Sequence, residues 1–138
     1  METKKIELVV DANVLLSALI KEGITRKIIL LNEHKLHLPS FFFNEFYKHL
    51  KEIETKTELK QEHLIKIIEF LIYFGNIEVI QQEEINPYLE KATLISPDIN
   101  DINYFALALK LNCHIWSNDK KLKEQKEIKI FSTQELID

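Results

Sequence analysis

The sequence predicts an α/β fold in which helices cover both faces of a parallel sheet. Short apolar runs typical of buried strands alternate along the 138 residues with longer segments whose apolar side chains recur at helical spacing. Strands that alternate with helices pair in parallel through right-handed crossovers. The chain has 46% hydrophobic and 29% charged residues, as expected for a globular protein of one domain's length. We therefore expect one three-layer α/β/α domain over residues 1–138, with about five strands.

The first part of the chain predicts two strands separated by two helices. Residues 6–10 form an apolar run typical of a buried strand, and Asp11 ends it. A helix over residues 13–20 follows, and Thr25 is predicted to cap a second, short helix. Residues 35–38 predict the second strand.

The middle of the chain predicts a helical hairpin over about residues 41–74. Ser40 is predicted to cap its first helix, and Gly75 to end its second. Apolar side chains at i, i+3, i+4 and i+7 mark the two helices. They are Phe43, Phe46, Tyr47 and Leu50 in the first, and Leu64, Ile67, Ile68, Leu71 and Ile72 in the second.

The last third of the chain predicts three more strands. The third strand covers residues 77–80, after which Asn86 is predicted to cap a helix whose first turn contains a proline. Asp101 is predicted to cap the helix that enters the fourth strand, over residues 113–116. The fifth strand covers residues 128–131, and a short helix closes the chain.

Bulk properties exclude several classes of protein. A net charge of -4 argues against a simple basic nucleic-acid binder, unless the acids gather at one site and hold divalent cations. Cys113 is the only cysteine, so no disulfide and no thiolate metal site form within the chain, and we interpret it as a core residue. No apolar run approaches the length of a membrane helix, so we expect a cytoplasmic protein.

Two aspartates follow strands at the edge of the sheet where ligands usually bind. Asp11 follows the first predicted strand and Asp119 follows the fourth, and Asp101 is placed to face the same edge. Three carboxylates at one edge repel each other, so at least one is expected to hold a proton unless a cation is present. Oxygen ligands suit Mg²⁺ or Mn²⁺, whereas the five histidines form no HExxH zinc motif. Such cations activate water for phosphodiester hydrolysis.

Four segments resemble the motifs of the PIN-domain family, which includes VapC-like and PilT N-terminus-like proteins. VDANVLLSALI resembles the first motif, Glu45 in the helix after PSFF the second, DINYFALAL the third and WSNDKKL the fourth. The resemblance runs across nearly the whole chain. It implies a Rossmann-like sheet ordered 3-2-1-4-5, an acidic site for Mg²⁺ or Mn²⁺, and endoribonuclease activity. Members are frequently the toxin of a toxin-antitoxin pair.

The resemblance also assigns roles to individual residues. The metal-binding and catalytic acids would be Asp11, Glu45, Asp101 and Asp119. Asn13 and Ser117 would be polar neighbours. By position alone, Asp98, three residues earlier, competes with Asp101 for its role, and Lys120, Lys121 and Lys123 follow Asp119 closely enough to contact the RNA backbone. The motif reads Ser-Asn-Asp where many relatives have Thr-x-Asp, which keeps the hydroxyl.

Each of these residues also has a purely structural interpretation. Asp11, Asp101 and Asp119 are all suited to capping a helix or turn. Glu45 lies off the apolar face of its helix, on the polar face with His49, where a solvated glutamate is the default. The lysines fit a solvated helix face equally well.

Three functions remain at this stage. The first is a metal-dependent endoribonuclease acting on RNA. The second is a catalytically silent PIN-fold module that binds RNA or a partner protein. The third is a receiver-type phosphoryl-transfer protein, which usually needs an aspartate after a middle strand and a lysine after a later one. It is disfavoured because the third strand, ending at Ile80, is followed by glutamines, and the fifth, ending at Phe131, by Ser-Thr. A homodimer and a separate inhibitory protein such as an antitoxin are the expected partners.

Overall fold

Five parallel strands form one sheet in the order β3-β2-β1-β4-β5 in the computed structural model, which describes residues 5–137. The strands are β1 Glu7–Val10, β2 Lys35–Pro39, β3 Glu78–Ile80, β4 His114–Trp116 and β5 Ile130–Phe131. This confirms both the predicted α/β class and the 3-2-1-4-5 order. The strand order changes direction between β1 and β4, which pair directly. The residues that follow these two strands therefore lie side by side.

Nine helices, counted in the described residues, connect the strands. They are α1 Ala12–Ile20, α2 Ile24–Leu30, α3 Phe41–Lys48, α4 Leu50–Thr57, α5 Gln61–Phe74, α6 Gln82–Ile85, α7 Leu89–Ile95, α8 Ile102–Leu111 and α9 Thr133–Ile137. Short 3-10 turns cover Asn86–Tyr88, Ile99–Asp101 and Lys120–Glu124.

Two predicted helix caps are wrong. Thr25 lies inside α2, because Gly23, with extended backbone, occupies the capping position and the helix already begins at Ile24. Asn86 does not cap α7 but starts the 3-10 turn Asn86–Tyr88, which carries the proline in its first turn. In both cases the residue type favours a cap, but α2 starts two residues earlier and α7 two residues later than the predicted caps imply.

The segment predicted as a helical pair contains three helices. The backbone leaves the helical region at His49 (φ -101°, ψ 6°), which ends α3 and precedes α4. Glu58 adopts the left-handed conformation and ends α4, so the chain turns into α5. Leu50 therefore belongs to α4. Helix α3 is a short separate helix beside Asp11, at the carboxyl end of β1.

The centre of the sheet forms the core. Leu8, Val9 and Val10 of β1 are fully buried, as are Phe105 of α8 and Trp116 of β4. Helix α8 packs across β1, β2 and β4. Because the last three residues of β1 are buried, the side chain that follows the strand is held in a rigid frame.

The single thiol is a core residue, as the sequence predicts. Cys113 is buried, and burial raises the pKa of its thiol to about 12, so it behaves as an inert core residue. None of the helices between residues 5 and 137 is long and apolar enough to cross a membrane.

Candidate active site

Asp11 is buried at the end of β1 and is held by a side chain from the next strand. Its Oδ2 accepts a hydrogen bond of 2.8 Å from the hydroxyl of Ser117, which follows β4. Although Asp11 stands at the N-cap position of α1, its side chain makes no capping bond. Burial raises the pKa of Asp11, and the charge of Asp119 adds to this, while the bond from Ser117 opposes it. The carboxylate is therefore held by Ser117 and does not serve as a helix cap.

Ser117 joins two of the predicted acids. Its hydroxyl donates to Asp11 and accepts a hydrogen bond of 3.1 Å from the backbone N–H of Asp119. The residue is 1% exposed, and its own N–H donates to the carbonyl of Phe131 on the edge strand. Since β1 and β4 pair directly, this one side chain fixes the relative positions of Asp11 and Asp119.

Asp119 combines the structural and the functional interpretation. Its Oδ1 accepts a hydrogen bond of 3.0 Å from the N–H of Lys121, so it caps the 3-10 turn Lys120–Glu124. Its charge nevertheless raises the pKa values of both Asp11 and Asp101. The carboxylate is therefore close enough to share their electrostatic environment.

Asp101 carries the largest perturbation among the aspartates. It ends the 3-10 turn Ile99–Asp101 and precedes α8, without a capping bond from its side chain. Burial raises its pKa to about 7, the charges of Asp11, Asp98 and Asp119 add to the shift, and Lys121 opposes it. One carboxyl of the group thus holds a proton for much of the neutral range.

Asp98 has a mainly structural position. Its Oδ1 accepts a hydrogen bond of 2.9 Å from the N–H of Asn100 and caps the 3-10 turn, while Oδ2 lies 3.9 Å from Nζ of Lys121. It contributes charge to Asp101 but is held by these two contacts.

Glu45 of α3 faces the acids across a cavity. Asp11, Asn13, Glu45 and Asp101 line this cavity, whose volume is about 350 Å³. The side chain of Glu45 is about one-third exposed and lies 3.6 Å from Nε2 of His49. Its polar helix face is thus turned toward the site and does not simply face solvent.

Asp119 lies on the far side of Asn13. A smaller cavity of about 250 Å³ is lined by Asn13, Val14, Asn118 and Asp119. Asn13 lines both cavities and separates Asp119 from the pocket of Glu45. The four predicted acids therefore occupy one edge of the sheet, distributed over two adjoining hollows.

The acids interact through charge and are not arranged as direct ligands of one ion. In residues 5–137, no three histidine, cysteine, aspartate or glutamate side chains are grouped so that they could hold a metal ion. Mg²⁺ keeps several waters and needs only one or two carboxylates. The donor set, with oxygen ligands and mutually raised aspartate pKa values, fits a hydrated hard cation better than a fully protein-bound one.

Tyr104 is a site residue that sequence analysis missed. Its side chain lines the cavity with Asp11, Glu45 and Asp101, and its hydroxyl is buried without a hydrogen-bond partner. Burial and the three carboxylates raise its pKa. The signal in the sequence was the spacing from Asp101, since residues three apart share a helix face.

The predicted RNA-contacting lysines point in different directions. Lys121 is drawn toward Asp98, and Lys120 is exposed on the same turn. Lys123 bonds Glu135 at 2.6 Å and lines a cavity of about 630 Å³ beside β4 and β5, together with Lys126. This larger cavity contains none of the four acids, so it is separate from the carboxylate site.

Comparisons with known proteins agree with the fold. The sequence matches the PIN domain family over residues 9–135. The fold is similar to that of VapBC2 from Rickettsia felis, solved bound to a DNA fragment from its promoter, with a TM-score of 0.73 and 14% identity over 92% of this chain and 98% of that one. It is also similar to PAE2754 from Pyrobaculum aerophilum, with a TM-score of 0.65 and 16% identity over 96% and 87% of the two chains. No curated protein matches the sequence.

Proposed function

The chain belongs to the PIN-domain family, and on that premise we propose that it is an endoribonuclease that hydrolyses RNA phosphodiesters with Mg²⁺ or Mn²⁺ as cofactor. The observation that carries the proposal is that Asp11, Glu45 and Asp101 line one cavity, in which burial and the charges of Asp11, Asp98 and Asp119 raise the pKa of Asp101 to about 7. Carboxylates that perturb each other in a cleft are typical of catalytic sites.

The roles of the residues follow from their positions. Asp11, Asp101, Asp119 and Glu45 would hold the cation at the sheet edge, with Ser117 fixing the carboxylate of Asp11. When bound, the cation supplies the charge that stabilises the phosphodiester and activates the attacking water. Asn13 stands between the two hollows, with its amide available to either.

The RNA backbone would approach over the turn that follows Asp119. Lys121 is the best placed of the lysines because it lies beside Asp98 and lowers the pKa of Asp101. Lys120 extends the same surface. The ammonium of Lys123 is engaged by Glu135, so we give it a smaller part in binding.

We further propose that the chain acts as a toxin restrained by an antitoxin, and that it forms a homodimer in the cytoplasm. The fold neighbour VapBC2 was solved bound to promoter DNA, which supports a partnership of this kind. Co-expression with the product of a neighbouring gene, followed by size-exclusion chromatography with light scattering, would measure both assemblies. Recovery of the chain only as a free monomer would contradict them.

The alternative is a silent PIN-fold module that binds RNA or a protein. The observation in its favour is that the described acids are not grouped at metal-binding distance. Metal-independent RNA binding without cleavage would establish it.

The experiment that tests the proposal is cleavage of mixed RNA in Mg²⁺, Mn²⁺ or EDTA by wild type and Asp11→Asn. We expect metal-dependent cleavage that the variant loses by about 100-fold or more, since a ligand charge is removed. Glu62→Gln, on the exposed face of α5, is the matched control and retains activity. Equal silence of folded wild type and variant would reject the nuclease in favour of the binding module.

A further inference from the structure

The hydroxyl of Tyr104 is buried without a partner although acceptors surround it. Of the buried side-chain oxygens and nitrogens in the part of the chain that the structure describes, it is the one without a hydrogen bond. Leaving such a group unpaired destabilises the folded state. Tyr104 is 2% exposed, so bulk water does not supply the missing bond. The arrangement therefore calls for an explanation in terms of function.

The surroundings of the hydroxyl are carboxylates. Tyr104 lines the same cavity as Asp11, Glu45 and Asp101, and the negative charges of these three groups raise its pKa beyond the effect of burial. The hydroxyl therefore keeps its proton and acts as a donor. Its natural acceptor is one of the three acids.

Glu45 is the acid best able to turn toward Tyr104. Asp11 is already bonded by Ser117 at 2.8 Å, and Asp101 extends from the backbone on a shorter side chain. The contact of Glu45 with His49, at 3.6 Å, is too long to be a hydrogen bond. The carboxylate of Glu45 thus has both reach and freedom.

We propose that Tyr104 is a positioning residue, whose hydroxyl donates a hydrogen bond to the carboxylate of Glu45 when a divalent cation occupies the site. The inference rests on the proposed metal-dependent function. It accounts for the unpaired hydroxyl of a residue that lines the same cavity as Glu45. Hydrogen bonds to ligating carboxylates commonly orient metal ligands.

Calorimetric titration of the metal-free protein with Mn²⁺ tests this role without using activity. Tyr104→Phe keeps the ring and removes the hydroxyl, so we expect the Mn²⁺ dissociation constant to rise about 10-fold. In EDTA the same variant should melt no lower than wild type, because it loses only an unpaired polar group. A merely structural role predicts an unchanged Mn²⁺ dissociation constant and a lower melting temperature in EDTA. Tyr73→Phe, with an exposed ring on α5, is the matched control and should bind Mn²⁺ as wild type does.

A double-mutant cycle with Glu45→Ala, which removes the acceptor oxygens altogether, identifies the acceptor. If Glu45 accepts the bond, Tyr104→Phe should weaken Mn²⁺ binding much less in the Glu45→Ala background than in wild type. Equal losses of Mn²⁺ affinity in both backgrounds would overturn the assignment to Glu45. If wild type binds Mn²⁺ and Asp11→Asn does not, but Tyr104→Phe has an unchanged dissociation constant, the role of Tyr104 is overturned and the metal site is kept. If wild type and Asp11→Asn bind Mn²⁺ equally, or neither binds, the proposed function falls as well.

Discussion

Two groups of acids lie on the same sheet, and they differ in the partners that the fold gives their carboxylates. Near the start of the strands, Glu7 of β1 and Glu78 of β3 each contact one ring nitrogen of His37 in β2, at 2.8 and 2.9 Å. At the opposite end of the strands, Asp11 and Asp101 have raised pKa values, and Nζ of Lys121 lies 3.9 Å from the neighbouring Asp98.

The difference between these groups separates a cluster that is satisfied within the fold from one that keeps an electrostatic repulsion. A buried imidazole between two carboxylates is satisfied within the fold, because each ring nitrogen has its own partner. The carboxylates after β1 and β4 retain a repulsion that a bound cation would relieve. We therefore refer to the His37 cluster as compensated and to the Asp11, Asp101 and Asp119 group as uncompensated.

The largest effect is expected from breaking the compensated cluster. His37→Ala removes a buried ring and leaves Glu7 and Glu78 without their shared partner. We expect a loss of about 2–3 kcal/mol in the free energy of unfolding, measured by urea denaturation. His63→Ala, at an exposed position of α5, is the control and should change little. A His37→Ala protein as stable as the control would show that the cluster contributes nothing to the fold.

At the uncompensated group, a substitution is expected to raise the free energy of unfolding and not to lower it. The folded pKa of Asp101 lies above its ordinary value of 3.8, at about 7. The protonated acid thus favours the folded state, and this stability is lost as the pH rises from about 4 through 7. Asp101→Asn should remove that decline and stabilise the metal-free protein at pH 8 by about 1–2 kcal/mol, after allowance for solvent screening.

Urea unfolding in EDTA at pH 5 and pH 8 checks the sign. The gain from Asp101→Asn should be smaller at pH 5 than at pH 8, because at pH 5 folded Asp101 still holds its proton and only the unfolded chain has lost it. Destabilisation by Asp101→Asn at pH 8 would mean that the carboxylate is compensated after all.

Removing the link between Asp11 and Asp119 should affect activity more than stability. Ser117→Ala deletes the bond to Asp11 and leaves the N–H of Asp119 without its acceptor. We expect metal-dependent cleavage to fall about 10-fold, because the carboxylate is no longer oriented. Ser117→Thr, which restores the hydroxyl present in many PIN-domain motifs, should recover part of the rate. Equal activity of Ser117→Ala and wild type would contradict the positioning role.

The smallest effect is expected at the neighbouring cation. Lys121→Met removes an exposed charge, so stability should change by less than about 0.5 kcal/mol. RNA affinity in EDTA should fall a few-fold, with the slope of its salt dependence reduced by about 1. Fluorescence anisotropy with labelled RNA measures both, and Lys66→Met on α5 is the control. An identical loss in the control would indicate a nonspecific charge effect.

The fold and two of the acids were predictable because they depend on local pattern. Apolar runs located the strands, and Asp11 and Asp119 were found because they follow strands whose carboxyl ends share one edge. The strand order came from the resemblance of four motifs to PIN domains, and the sheet confirms it.

The rest depends on contacts between distant residues or on exact backbone geometry. The bond from Ser117 to Asp11 joins residues 106 positions apart, which no local pattern reveals. Glu45 was ambiguous because the direction of its helix face is set by tertiary packing. The break at His49 and the early start of α2 were missed for the same reason, since helix ends are decided by a few backbone angles.

The central claim is that the uncompensated carboxylates after β1 and β4 form a divalent-metal site. Its most direct test is a crystal structure with Mn²⁺, in which anomalous scattering locates the ion. We predict a peak at the edge lined by Asp11, Asp101 and Asp119, with Glu45 turned toward Tyr104, and no such peak in Asp11→Asn crystals. An ordered site without a peak at saturating Mn²⁺, or a peak only beside the compensated cluster of His37, would contradict the account.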